Sequence, residues 1–227
     1  GFVACTFKRG IKYINIPTSL LAMVDASVGG KTGVDLGALK NQVGVISSGD
    51  MVIIDTSYLD TLPQNQMKSG LAEMLKHGLI VDKTYFDKLT DLSKLTLNDL
   101  DELIHESVEI KKTIVTKDPF EQNERKHLNF GHTLGHAIES YFLSHPEKDE
   151  LLHGEAIAIG MVCESFMSSK ILGFPKEKVE EVKEVVLSIY NRTNLLKEDF
   201  SKIMELLKHD KKNVNGQVNF VLLNDFE

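Results

Sequence analysis

Two histidines four residues apart, His132 and His136, lie in the stretch ERKHLNFGHTLGHAIE with Arg125, Asn129 and Glu139. On a helix of 3.6 residues per turn these five positions stack along one face. Imidazoles at i and i+4 are a spacing at which a helix presents metal ligands. Neutral imidazole with carboxylate suits Zn²⁺ or a similar divalent ion. Without an HExxH pattern the pair is also compatible with the solvated stripe of an amphipathic helix. Two more residues widen the ligand pool. Glu73, in SGLAEMLKHG, sits among apolar neighbours, where a carboxylate needs a cation or strong hydrogen bonds. Lys76 and His77, three and four residues on, can meet that need locally. His153 opens the run HGEAIAIG. Gly131 and Gly135 each cost a helix about 1 kcal/mol against Ala, which points to close approach of another element.

A second chemistry is anion binding. SVGGKTGVD (27–35) carries three glycines, Lys31 and Thr32, and backbone N–H groups beside a lysine make an anion cradle. The segment is read as a loop closed by Lys40 and Asn41, and it does not satisfy the Walker A pattern. Arg9, Lys111, Lys112, Lys211 and Lys212 are further basic candidates.

These residues need elements to place them. KYINIP (12–17) and MVIIDT (51–56) read as buried strands of parallel type, and 18–27 as a helix capped by Thr18. Strand, helix, loop and strand in that order indicate α/β architecture. After Leu62-Pro63 helical periodicity dominates, over 64–81, 98–117, 124–144, 153–172, 176–190 and 197–209. QVNFVLL (217–223) alone reads as a late strand, and PEKDE (146–150) as a solvated loop. A boundary is therefore expected near residue 63, with α/β before it and a helical domain over 64–227. Composition fits a globular protein, at 42% hydrophobic and 26% charged residues. A net charge of −7 argues against a nonspecific nucleic-acid surface. No apolar run reaches membrane-spanning length. Two cysteines in unrelated contexts suggest no disulfide framework, so a cytoplasmic location is expected.

Taken in order, PTSLLAMVDASVGGKTGVD, KNQVGV, SGLAEMLKHGLI, KKTIVTKDPFEQNER, LNFGHTLGHAIE, HGEAIAIGM and DKK resemble the 3-dehydroquinate synthase family across nearly the whole chain. The resemblance implies an enzyme that converts the sugar-acid phosphate DAHP to 3-dehydroquinate and phosphate on the shikimate route. The steps are oxidation at C5 with NAD, phosphate elimination, re-reduction and intramolecular aldol closure. It implies one divalent metal, Zn²⁺ or else Co²⁺, held by Glu73, His132 and His153, with His136 a proton-transfer group rather than a ligand. Glu121 and Lys76 join His136 as catalytic candidates. Asp25 and Lys76 match contacts to substrate hydroxyls. Lys31, Asn41 and Lys212 (or Lys211) match phosphate contacts, and Lys111, Arg125 and Asn129 match contacts nearer the carboxylate. Arg9 matches an arginine that reaches the neighbouring site of a homodimer. Thr18, Ser19, Lys31, Lys40, Tyr58, Leu59, Asp60 and Thr61 match cofactor-lining positions.

By the same resemblance residues 1–63 are the C-terminal part of a Rossmann-like NAD domain. The chain opens abruptly with GFVACTFKRG, and the family's glycine-rich pyrophosphate loop is expected before Gly1. A piece of this kind is expected to bind NAD poorly. The alternatives are a valiolone-type or deoxy-inosose cyclase, an iron-type alcohol dehydrogenase, and a noncatalytic helical scaffold. Asn129, His136, Lys111 and Arg125 favour the carboxylate-bearing substrate over the first two.

Overall fold

The computed structural model describes the chain except for residues 37–38, 91–96, 146, 150, 209–216 and 226–227, and the side chains at 39–40 and 97–98. Two compact units form. The first gathers residues 1–70 and 94–125, the second 71–93 and 126–227. The expected boundary near residue 63 falls at the start of α2 (Gln64–Val81), and the units divide within that helix, after Gly70.

The first unit opens with the short helix α1 (Phe2–Thr6). Strands β1 (Ile14–Asn15) and β4 (Met51–Val52) pair in parallel, Ile14 opposite Met51 and Asn15 opposite Val52. The parallel pairing agrees with the sequence reading; the burial does not. Ile14, Met51 and Ile53 are exposed, because among the described residues each strand has only the other as a partner. Pro17 offers no N–H to prolong β1. Asp55 ends the second strand by accepting the Ser57 N–H at 3.1 Å, which caps a 3₁₀ turn over Thr56–Thr61. The helix expected over 18–27 starts at Leu20 and widens into a π turn over Ala22–Ala26. Ser19 rather than Thr18 serves its start, its Oγ accepting from Ala22 N at 3.4 Å.

The loop expected over 27–35 is a turn only through Gly30. Beyond it β2 (Lys31–Leu36) and β3 (Leu39–Ile46) form an antiparallel hairpin, with Thr32 opposite Val45 and Val34 opposite Val43. Gly33 faces Gly44, and a Cβ on Gly44 would lie 2.5 Å from the Thr32 carbonyl oxygen. Gly33, one of the three glycines that make the stretch read as a loop, thus sits where two strands approach closely. Helix α4 (Leu97–Lys117) packs against the π turn.

The second unit is helical: α3 (Lys83–Lys88), α5 (His132–Leu143), α6 (His153–Ile171), α7 (Lys176–Ile189) and α8 (Lys197–Lys208). Helix α3 is absent from the sequence reading; Asp82 caps it by accepting Tyr85 N at 3.1 Å. Helix α8 places Ile203 and Leu207 on Ala137, Ile138, Tyr141 and Phe142 of α5. Helix α7 packs on α6 and buries Val179, Val182, Val186 and Ile189 at helical spacing. The helix expected over 124–144 is broken. A 3₁₀ segment over Glu124–Asn129 gives way at Gly131, whose φ of 76° only glycine adopts readily, and α5 begins at His132. The five-residue stripe therefore survives as His132, His136 and Glu139 alone. The strand expected over 217–223 is not regular beyond a bridge at Gln217. Its backbone is satisfied by helix side chains instead: Thr133 Oγ1 donates to Asn219 O at 3.1 Å, and Leu223 N donates to Ser168 Oγ at 2.9 Å. In the loop read as solvated, Lys148 pairs with the buried Asp199 at 3.0 Å. Among the described residues no helix is long and apolar enough to cross a membrane.

Candidate metal centre and anion-binding residues

Helices α5 and α6 meet through glycine. A Cβ on Gly160 would lie 1.9 Å from Gly131 O, and one on Gly135 would lie 2.7 Å from Ile157 Cδ1. Any side chain at these positions would force the helices apart, so the close approach inferred from Gly131 and Gly135 is what the fold uses. Glu164 of α6 fixes the start of α5, with Oε2 accepting Gly131 N at 2.7 Å and Oε1 accepting Leu134 N at 3.2 Å. A carboxylate at a helix N-terminus satisfies donors that have no partner within the helix.

This packing gathers three imidazoles. The centroids of His132 and His136 are 5.2 Å apart, and His153, the first residue of α6, lies 5.7 and 5.8 Å from them. Glu73 is fully buried, and its Oε1 faces His132 Nε2 at 3.3 Å and His153 Nε2 at 3.6 Å. Behind each ring stands an acceptor: Phe130 O at 3.0 Å from His132 Nδ1, and Glu139 Oε2 at 3.3 Å from His153 Nδ1. With a proton on each Nδ1, both Nε2 lone pairs point at one anionic oxygen, an arrangement that a divalent cation between them would stabilise. Glu73 Oε1 makes no hydrogen bond. A buried carboxylate oxygen without a hydrogen bond, faced by two imidazole nitrogens, fits a divalent ion. The three histidines also lie close enough together to act as ligands themselves.

The electrostatics agree. Burial pushes the Glu73 carboxyl up, but the buried Lys76 ammonium paired with it, together with His132 and His153, holds it well below the usual carboxylate range. Burial alone would lower His153; Glu139 and Glu73 instead raise it to about 9.

In the first unit the candidate residues meet around the glycine turn. Asp118 is the anchor. Its carboxylate accepts from Gln122 N at 2.9 Å, Asn123 N at 2.6 Å and Arg125 N at 3.1 Å. Burial pushes this carboxyl up, and those three N–H groups with the Arg125 charge bring it net down. Within the loop so held, Glu121 adopts a left-handed φ of 59° and pairs with Lys31. Arg125 is buried, and its fork donates to Pro119 O at 2.6 Å and Gly29 O at 2.8 Å, while its Nε–H makes no hydrogen bond. Gly29 has no room for a side chain, since a Cβ would lie 2.6 Å from Arg125 Nη2. Lys111 reaches Asp25 Oδ1 at 2.7 Å. A cavity of about 530 Å³ opens beside the turn, lined by Asn15, Gly29, Gly30, Lys31, Ser48 and Lys112 among others.

The remaining candidates are dispersed. Of the described cofactor candidates, Lys31 alone lines this cavity. Thr18, Asp60 and Thr61 are exposed, Ser19 caps the π turn, Tyr58 is exposed and Leu59 is buried in the core. Asn41 has a left-handed φ of 51° and its N–H donates to Asp35 Oδ1 at 2.7 Å. Arg9 is exposed with a φ of 68°, and Asn129 ends the 3₁₀ segment. The Lys40 side chain, Lys211 and Lys212 lie outside the described residues. Sequence reasoning missed Asp118 and Glu164. The signal for Glu164 was the same as for Glu73, a single carboxylate inside an apolar helix.

The fold has solved counterparts. It is similar to 2-epi-5-epi-valiolone synthase ValA of Streptomyces hygroscopicus with NAD⁺ and Zn²⁺ bound, with a TM-score of 0.79 and 26% identity over 99% of this chain and 65% of that one. It is similar also to 2-deoxy-scyllo-inosose synthase complexed with carbaglucose-6-phosphate, NAD⁺ and Co²⁺, with a TM-score of 0.84 and 28% identity over 98% of this chain and 62% of that one. The architecture is thus that of the cyclising synthases, α/β in the first part and helical after it.

Within that class the sequence is more specific. Residues 1–69 match the 3-dehydroquinate synthase N-terminal family and residues 70–213 the 3-dehydroquinate synthase C-terminal family. The chain belongs to the 3-dehydroquinate synthase family. It is 46% identical to the 3-dehydroquinate synthase of Parabacteroides distasonis over 98% of its length and 63% of that relative's. It is 40% identical to that of Clostridium botulinum, again over 98% and 63%. The chain therefore spans about 63% of the length of these curated relatives.

Proposed function

We propose that this chain carries the metal and substrate residues of a 3-dehydroquinate synthase, an NAD- and metal-dependent carbon–oxygen lyase that turns DAHP into 3-dehydroquinate and phosphate. The observation that carries the reading is Glu73 Oε1, buried without a hydrogen bond between His132 Nε2 and His153 Nε2. Those three residues would hold the divalent ion, Zn²⁺ or Co²⁺. When bound, the metal would polarise the C5 oxygen of the substrate, and NAD would accept and return the C5 hydride. His136, beside both rings, moves a proton to and from the substrate. Lys76 keeps the Glu73 carboxylate ionised and touches a substrate hydroxyl, as does Asp25. Glu121 is the catalytic carboxylate. Lys31, Asn41 and Lys212 bind the phosphate end; Lys111, Asn129 and the remaining Nε–H of Arg125 face the carboxylate end.

In this reading residues 1–63 close the NAD-binding domain and residues 64–227 form the metal- and substrate-binding domain. Thr18, Ser19, Lys31, Lys40 and Tyr58–Thr61 line the cofactor. The protein works in the cytoplasm as a homodimer, with Arg9 reaching the neighbouring site. The identity to named 3-dehydroquinate synthases, at 40–46%, supports this substrate over those of the valiolone and inosose relatives, at 26–28%.

The test is phosphate release with NAD and Zn²⁺, run on this chain and on a version extended to the length of its relatives. Release from DAHP by the extended version is expected. Release from sedoheptulose 7-phosphate alone would overturn the choice of substrate. NAD titration of both versions by calorimetry should show much tighter binding by the extended one; equal affinity would remove the assignment of residues 1–63 as a partial cofactor domain.

A further inference from the structure

The two histidines that face Glu73 are backed differently. His132 Nδ1 meets a neutral backbone carbonyl, Phe130 O, at 3.0 Å. His153 Nδ1 meets a charged side chain, Glu139 Oε2, at 3.3 Å. Glu139 lies seven residues after His132 on α5, on the same face, with its side chain 8% exposed. His153 stands at the first position of α6, where no preceding helical turn braces a ring. Its orientation must come from another element.

We propose that Glu139 is the positioning residue for His153: its carboxylate holds the Nδ1 proton, turns Nε2 toward Glu73 Oε1 and makes that nitrogen the stronger donor of the two. The inference rests on the metal reading given above. It follows from the need of a metal-binding imidazole for an acceptor at its second nitrogen, and from the basicity that an anionic acceptor adds. It also explains a buried carboxylate next to a site that already contains Glu73. A second acid there is costly unless its charge is used, since buried charges require partners.

A graded pair of variants of this chain tests it. E139Q keeps an acceptor for Nδ1–H and loses the charge, while E139M keeps the length and loses both. Zn²⁺ affinity is measured by competition with a chromophoric chelator, and the Co²⁺ ligand-field spectrum is recorded for each protein. E139M should bind Zn²⁺ about 10- to 100-fold more weakly than wild type, with E139Q between them. The Co²⁺ bands should shift in the same order, while the metal-free melting temperature of E139Q stays near that of wild type. A purely structural role would lower the melting temperature and leave the bands in place. Wild-type affinity and bands in both variants would overturn the inference alone. A wild-type chain that takes up neither Zn²⁺ nor Co²⁺ would overturn the metal reading, and the inference with it.

Discussion

The histidine cluster of the second unit and the glycine turn of the first are built to opposite specifications. In the cluster each ring of the Glu73 pair has an acceptor behind it and the Glu73 carboxylate before it, and the helices that carry the rings are locked by glycines with no space for a methyl group. At the turn the cation is offered outward. Lys31 is 51% exposed and its pairing with Glu121 is open to solvent. An exposed pair contributes about 0–1 kcal/mol and is screened by salt. The cluster is therefore organised before a ligand arrives, whereas the Lys31–Glu121 pair can be exchanged for an incoming anion at little cost. That contrast suits a resident ion in one place and a substrate that must leave in the other.

The largest effect should come from Glu73. E73Q removes the charge that both Nε2 atoms face, and Zn²⁺ affinity should fall by more than about 100-fold, beyond the range usual for residues that only support a ligand. K31M should leave Zn²⁺ affinity unchanged. Chelator competition on both variants breaks the comparison if the lysine matters as much as the carboxylate. Next is the lock itself. G160A places a Cβ where Gly131 O stands and should cost about 3 kcal/mol in urea denaturation, at the upper end for overpacking. A cost under about 1 kcal/mol would mean that α5 and α6 part easily and that the cluster is not pre-set.

How much of this the sequence discloses depends on whether the signal is local. Apolar periodicity shows α6, α7 and α8 to within a residue or two. The expected helix at 124–144 fails because one residue, Gly131, takes a left-handed conformation that helical periodicity does not register. The hairpin of β2 and β3 is hidden because its facing glycines look like loop chemistry. The ligand pool of Glu73, His132, His136 and His153 is legible as residue types. Which nitrogen faces which oxygen is not, because that depends on Phe130 O and Glu139, contacts set by tertiary packing. Arg125 is legible as a cation of the site but not as the brace of Gly29, which needs a contact across 96 residues of chain.

A smaller effect concerns acid. Asp199 ties α8 to α5: its carboxylate accepts the Tyr141 hydroxyl at 2.6 Å and Leu196 N at 2.8 Å and pairs with Lys148. These contacts, led by the Tyr141 hydroxyl, hold it down at about 2. The folded value lies below the ordinary aspartate value of about 3.9, so the stabilisation is complete above pH of about 4 and is lost as the pH falls toward about 2. D199N should flatten the acid limb of stability against pH, followed by circular dichroism. An unchanged slope would place the acid response of the second unit elsewhere.

The smallest effect is expected on the hairpin, and it probes the first half of the contrast most directly. Val43 and Val45 project from the same face of β3 and are 46% and 43% exposed. Threonine retains their β-branched shape and strand preference while removing apolar surface. If the face meets only solvent, V43T and V45T should each change unfolding free energy by less than about 0.5 kcal/mol, as exposed substitutions do. The measurement belongs in urea at two protein concentrations tenfold apart. A cost near 2 kcal/mol that vanishes on dilution would mean that the face is buried against a second copy. The openness of the first unit would then belong to the single chain and not to the assembled protein.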